Sequence, residues 1–195
     1  HRFDGRIQED LALSTTMGAS AGVEVLRERG SSTFITGVNG TPIQILRSVM
    51  GTFGELRYQD ERLGVTAGAR VERLARDKVE ADPFGFPPRP AFPDQTITAF
   101  NPKVAASYVV ATSMGGRAST RAHASAGTGI RPPDAFEVSF TNNPNLKPER
   151  SRSLDVGVEQ RLHGGRFVFD ATAFSNTYDD LLVTVAASLA GATQY

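Results

Sequence analysis

The chain has 195 residues with 21 basic and 21 acidic side chains and no cysteine. A balanced charge without a dense basic run leaves no electrostatic footprint for nucleic acid, and the missing thiols exclude a disulfide framework and any cysteine-based metal site. No stretch of about 18 apolar residues occurs, which excludes a transmembrane helix but not transmembrane strands, since those need only about 9–11 alternating residues.

His1 to Arg6 reads as the end of a strand, with a short turn expected around Gln8 to Asp10. In Leu11–Glu28, Met17, Ala19, Ala21, Val23 and Val25 share one parity, and Ser20, Gly22 and Glu24 hold the other. Residues 27–41 carry Gly30, Ser31, Ser32, Gly37, Asn39 and Gly40, which is loop chemistry. Ile43–Asp60 is a second strand, reversing near Glu61–Leu63. Then Val65, Ala67, Ala69 and Val71 alternate with Thr66, Gly68, Arg70 and Glu72, a period of two that assigns each set to its own sheet face. Residues 82–94 hold five prolines, which lack the ladder donor, and so form a long loop.

Alternation resumes over Lys103–Val110, with Val104, Ala106, Tyr108 and Val110 on one side. A short turn follows at Ser113–Arg117. In the next strand Ala122, Ala124 and Ala126 oppose Arg121, His123 and Ser125. Beyond a polar excursion from Arg131 to Glu149, Leu154, Val156, Val158 and Leu162 oppose Ser153, Asp155, Gly157, Glu159 and Arg161. His163-Gly164-Gly165 is a tight turn. Phe167, Phe169, Phe174 and Tyr178 then occupy both parities, which leaves the register of Arg166–Val185 open. Short and long connections thus alternate along the chain, the asymmetry of a transmembrane barrel with brief turns on one rim and extended loops on the other.

Candidate catalytic chemistry is weak. Gly18-Ala19-Ser20-Ala21-Gly22 fits the G-x-S-x-G pattern, but that chemistry needs a strand-to-helix turn at Ser20, and the alternation runs straight through it. His1, His123 and His163 lack metal-ligand spacing, and Asp179-Asp180 are strand neighbours that point to opposite faces. No catalytic residue, metal site or cofactor is expected.

Two motifs carry a family resemblance. Gly129-Ile130-Arg131-Pro132-Pro133 is a degenerate form of a "GFRAP" turn, and Asn143-Pro144-Asn145-Leu146-Lys147-Pro148-Glu149 is nearly a complete "NPNLKPE". With Asn101-Pro102-Lys103-Val104, they resemble the barrel half of the TonB-dependent outer-membrane receptors over roughly residues 53–182. The resemblance implies an all-β fold: seven or eight antiparallel strands of a 22-strand-type transmembrane barrel across residues 1–195, with plug, TonB box and closing strands absent and extracellular loops near 29–42, 78–97 and 131–150. No secretory signal is visible at His1, so a piece of a longer chain is expected.

It further implies a bacterial outer-membrane location and energised uptake of a scarce ligand such as a ferric siderophore, cobalamin or haem. The implied partners are the TonB complex acting through the missing plug, the small ligand, and outer-membrane lipid. Loop residues Phe84, Phe86, Arg89, Phe92, Arg131 and Phe136 are the expected ligand contacts, because a rigid wall positions recognition loops. Asp155 matches the position of a plug-facing glutamate, and otherwise is a lumen-wall carboxylate. Arg131 and Glu149 bracket the long loop and are expected to pair near the barrel mouth. The rival readings are a small self-contained outer-membrane barrel or adhesin without active transport, a soluble β-sandwich, and a serine hydrolase acting through Ser20.

Overall fold

The alternating segments form one antiparallel sheet. In the computed structural model, which describes all residues except 37–41, 85–89, 114, 135–136, 139–142, 185–191 and 195, eight strands lie in sequence order. They are β1 (Arg2–Ala12), β2 (Met17–Thr36), β3 (Pro42–Gln59), β4 (Leu63–Arg76), β5 (Gln95–Ser113), β6 (Ala118–Arg131), β7 (Glu149–Leu162) and β8 (Phe167–Asp179). A separate two-stranded ribbon pairs β9 (Leu182–Thr184) with β10 (Ala192–Gln194).

Outside the irregularities at Ser31/Thr36 and Val109/Ala111, the register sorts the side chains by parity. Leu11, Ala19, Leu56, Ala67, Val104, Ala126 and Leu154 are successive partners across seven strands. One residue along, Asp10, Ser20, Glu55, Gly68, Lys103, Gly127 and Ser153 form the next rung on the opposite face. One surface is therefore apolar and the other polar, as period two requires. The apolar one stands open: Val23, Val25, Met50, Leu56, Val104, Leu154, Val156 and Val158 are all exposed. A wall of this kind buries its apolar side in lipid rather than in a protein core.

Some boundaries differ from the sequence expectation. The turn expected at Gln8–Asp10 lies instead at residues 13–16, closed by Leu13 and Ser14 amides donating to the Met17 carbonyl. The polar run Gln8-Glu9-Asp10 continues β1, with Gln8 and Asp10 on the polar face opposite Gly22 and Ser20. Residues 28–36, which carry loop chemistry, are strand, and their irregularity appears as a register shift between Ser31 and Thr36. β5 begins at Gln95, well before Lys103. Its Pro102 is tolerated because the β5–β6 ladder starts only at Lys103. In β8 the register is settled: Phe167 and Phe169 share the apolar side with Leu162 and Gln160, while Phe174 lies opposite Asp155 on the polar side.

The short turns have matching chemistry. Asp60 accepts from the Arg62 and Leu63 amides, each at 2.7 Å, and from the Tyr58 hydroxyl at 2.8 Å. These donors hold its carboxyl below the usual range, the Leu63 amide first. At the β7–β8 turn Gly164 and Gly165 take φ of 70° and 86°, a region that glycine enters freely.

Candidate functional site at the loop end of the polar face

The polar face is an ion-pair lattice. Glu24 of β2 takes Arg6 of β1 at 2.9 Å and Arg70 of β4. Arg70 Nε also reaches Glu72 at 3.2 Å, and Glu72 accepts from Asn101 Nδ2 at 3.0 Å. Nearer the loops, Glu28 joins Arg2 at 3.4 Å and Arg47 Nε at 2.8 Å. Toward the turns Lys103 meets Glu55 at 2.5 Å, Ser125 donates to Asp155 at 3.0 Å, and His123 lies 3.0 Å from Asp170. Each pair is individually weak in a wet setting. Collectively they compensate a charged face that would otherwise repel itself.

Above this lattice the connection between β6 and β7 folds back over the polar face. A compact apolar cluster anchors it: Val79 and Phe92 from the β4–β5 connection, Val138 and Leu146 from the β6–β7 connection, and Ile45 of β3, with Leu182 packed alongside. Val79 and Phe92 exchange backbone hydrogen bonds at 2.9 and 2.8 Å. Beneath it, Arg76 stacks on the Phe92 ring at 5.2 Å and donates to the Pro93 carbonyl at 3.0 Å.

Arg131 and Glu149 close the base of the same loop. Arg131 Nε lies 2.5 Å from Glu149 Oε2, and its Nη2 donates to Glu137 Oε1 at 2.8 Å. Glu149 is buried and also accepts from the Leu182 amide at 2.6 Å. Asp134 and Glu137 exchange amide-to-carboxylate hydrogen bonds of 2.8 Å each, which stiffens the loop where it leaves β6. Between this loop and strands β1–β4 lies a cavity of about 600 Å³, whose lining includes Arg6, Glu24, Arg47, Leu74, Ile130 and Arg131. That volume suits a small ligand.

The expected site residues fall in different places. Arg131 and Glu149 come together at the base of the β6–β7 connection. Phe84 is 80 % exposed on the β4–β5 connection, whereas Phe92 is buried in the loop cluster. Phe86, Arg89 and Phe136 lie outside the described residues. Asp155 is half-buried on the polar face beside Ser125. Sequence reasoning did not single out Arg6, Glu24 or Arg47 for the cavity. Their parity was legible, but their meeting depends on cross-strand register. Ser20 sits within β2, donates to Asp10 and accepts from Arg57 at 2.9 Å, so the turn required by the G-x-S-x-G reading is not formed there. Among the described residues, no group of three His, Asp or Glu side chains is arranged to hold a metal ion.

A sheet with one lipid-suited face, one ion-paired face and alternating turns and loops is the wall of a large membrane barrel. The family model for the TonB dependent receptor-like β-barrel matches residues 3–195. The chain belongs to that family. Two solved structures share the fold of this TonB-dependent receptor wall. The copper transporter OprC superposes with a TM-score of 0.70 at 19% identity, over 93% of this chain and 30% of its own length. The FrpB iron transporter from Neisseria meningitidis (F3-3 variant) superposes with a TM-score of 0.63 at 16% identity, over 96% of this chain and 29% of its own. The receptor segment thus spans less than a third of either neighbour. No curated protein sequence matches it. The family places the segment in the bacterial outer membrane and is a class of receptors rather than of enzymes.

Proposed function

We propose that this chain forms part of the wall and mouth of an outer-membrane receptor that takes up a scarce metal chelate or cofactor, drawing energy from the TonB complex through a plug domain. The observation that carries the reading is the cavity on the ion-paired face, bounded on the loop side by Ile130, Arg131, Pro132 and Asp134. A transporter needs a ligand pocket on the lumen side of a lipid-embedded wall, and this geometry supplies one. The names of the two structural neighbours, a copper transporter and an iron transporter, support a metal-containing cargo.

Ligand contacts on this reading come from the loops, with Phe84, Phe86, Arg89, Arg131 and Phe136 as the equipped side chains, while Phe92 packs in the buried apolar cluster. Asp155 lies on the face that a plug would occupy. No bond is made or broken in such transport, so the polar groups bind and orient rather than catalyse. A closed small barrel would pair β1 with β8, and the described sheet runs from β1 to β8 with no such pairing, which favours the receptor over that rival.

The test is uptake by cells whose only receptor of this type is the full-length protein. Labelled ferric chelate, haem and cobalamin are supplied separately, with and without a functional TonB protein. Accumulation of one of them that disappears without TonB is expected. Accumulation unchanged by loss of TonB would overturn the energised part of the proposal, and no uptake of any metal chelate or cofactor would overturn the cargo class.

A further inference from the structure

The wall parts between β5 and β6. Their ladder runs from Ser113 opposite Ala118 to Lys103 opposite Gly127 and ends there. Beyond that rung β5 continues on β4 alone as far as Gln95 opposite Arg76, and β6 continues on β7 alone as far as Arg131 opposite Glu149. Pro102, the next residue of β5, has no amide hydrogen to give a further rung. The glycines of β6 mark the separation. A Cβ on Gly127 would meet Lys103 and Pro102 atoms at 3.5 to 3.8 Å, whereas one on Gly129 would meet Ser151 Oγ of β7 and no β5 atom within 4 Å.

A cavity of about 250 Å³ occupies this cleft. Its lining draws on both faces of the wall: Phe100, Thr128 and Ile130 belong by parity to the apolar side, and Ala99, Asn101 and Gly129 to the polar side. On its β7 side Arg152 is held by Asp179 at 2.6 Å. Ile130 also lines the cavity of about 600 Å³ on the ion-paired face, so the two spaces adjoin. Val23, Thr52, Val71 and Phe100 are successive partners on the apolar face, so the cleft opens beside exposed valines. At membrane depth an open strand edge is tolerated where it lines a cavity. An inserted peptide strand would need ladders on both sides, which Pro102 interrupts. An unbranched alkyl chain needs no such partner and is favoured by burial against Phe100 and Ile130.

We infer that the cleft between β5 and β6 is a side port for the alkyl chain of an amphiphilic cargo. The polar head sits in the cavity on the ion-paired face, and the chain passes between Phe100 and Ile130 into the hydrocarbon outside. The inference rests on the reading of that cavity as the ligand pocket and adds the class of cargo, a metal chelate carrying a single alkyl chain.

The test uses the full-length receptor in lipid nanodiscs, with binding to receptor-free discs subtracted. The probe is a ferric trihydroxamate chelate bearing one dodecanoyl chain, compared with its acetyl counterpart. These 195 residues contain no cysteine, so N101C/G129C places one pair across the cleft, where the next rung would fall, and oxidation zips it shut. T112C/S119C makes the same link across an intact rung near the short turn. The parent and the reduced N101C/G129C are expected to prefer the dodecanoyl form by about tenfold or more. Oxidation abolishes that preference in N101C/G129C and leaves it in T112C/S119C. Equal affinity for the two chelates, no binding of the dodecanoyl form, a preference that survives the N101C/G129C cross-link, or its loss in T112C/S119C would each overturn the inference. If the N101C/G129C cross-link does not form or the variant does not fold, Ile130→Trp fills the cleft from β6 and removes the preference, and an unchanged preference there overturns the inference as well. The readout is an affinity ratio without TonB, so it fails separately from the uptake test of the proposed function.

Discussion

Arg131 and Glu149 show how one pair of charges fixes a long loop. Glu149 is buried at the first residue of β7 and draws on both the Arg131 guanidinium and the Leu182 amide, so a single carboxylate ties β6, β7 and β9 together. Arg131→Ala removes the cation and leaves the carboxylate with only the amide. A loss of about 1–2 kcal/mol is expected, below the figure for a fully buried pair because Arg131 is itself half exposed. The check is urea unfolding of the refolded receptor together with limited proteolysis, where cleavage between 131 and 149 quickens and cleavage elsewhere does not.

Asp60 makes a different residue-scale prediction, in pH. Its carboxyl is held low by the Leu63 and Arg62 amides and the Tyr58 hydroxyl. A depressed folded value means that the turn's contribution is complete above the ordinary value of 3.8 and fades as pH falls through the lower folded one. A titration of the Asp60 carboxyl by carbon NMR is expected to give a midpoint below 3.8, and Asp60→Asn to flatten the acid limb of stability.

At the scale of the strand, close approach decides what is tolerated. A Cβ on Gly22 would stand 2.6 Å from the Ile7 carbonyl oxygen and 2.5 Å from the Phe53 ring, with Arg6 stacked 4.7 Å above that ring. The carbonyl belongs to the β1 backbone and cannot swing away. Gly22→Ala is expected to destabilise by about 1–3 kcal/mol, typical of overpacking. Gly54 has open space at the same position, so Gly54→Ala serves as the neutral comparison in the same denaturant series.

Strand-level patterning was also what the sequence displayed best. The parity of Val65–Glu72 and of Leu154–Arg161 could be read directly, because alternation is local. Strand ends were less legible. Gln8-Glu9-Asp10 has turn-like composition, yet Gln8 and Asp10 have polar partners across β1 and β2 that no local rule reveals. Residues 28–36 misled similarly, since glycine and serine serve a strand irregularity as readily as a loop.

For the molecule as a whole, the two faces obey opposite rules. Val156 lies near mid-height of the lipid face, and Val156→Arg is expected to cost about 2–4 kcal/mol in unfolding from a bilayer. Ser153, one rung from Leu154 but on the polar side, should accept arginine with little change. Equal penalties at both positions, measured in the same vesicles, would contradict the assignment of faces.

The amino-acid sequence alone determined the period-two faces, the succession of short turns and long connections, and through the "NPNLKPE" run the family. Each is a local property, encoded within about ten residues of chain. Only the tertiary structure decided that Arg6 and Arg70 share Glu24, that the β6–β7 connection folds inward over the polar face, and that Phe92 is buried beneath the loops rather than offered at their surface. Those outcomes depend on register between strands and on packing between segments more than forty residues apart, such as Ile45 and Val138. No short-range pattern carries that information, because the same alternating strand can be paired in many registers until its neighbours and its loops fix one.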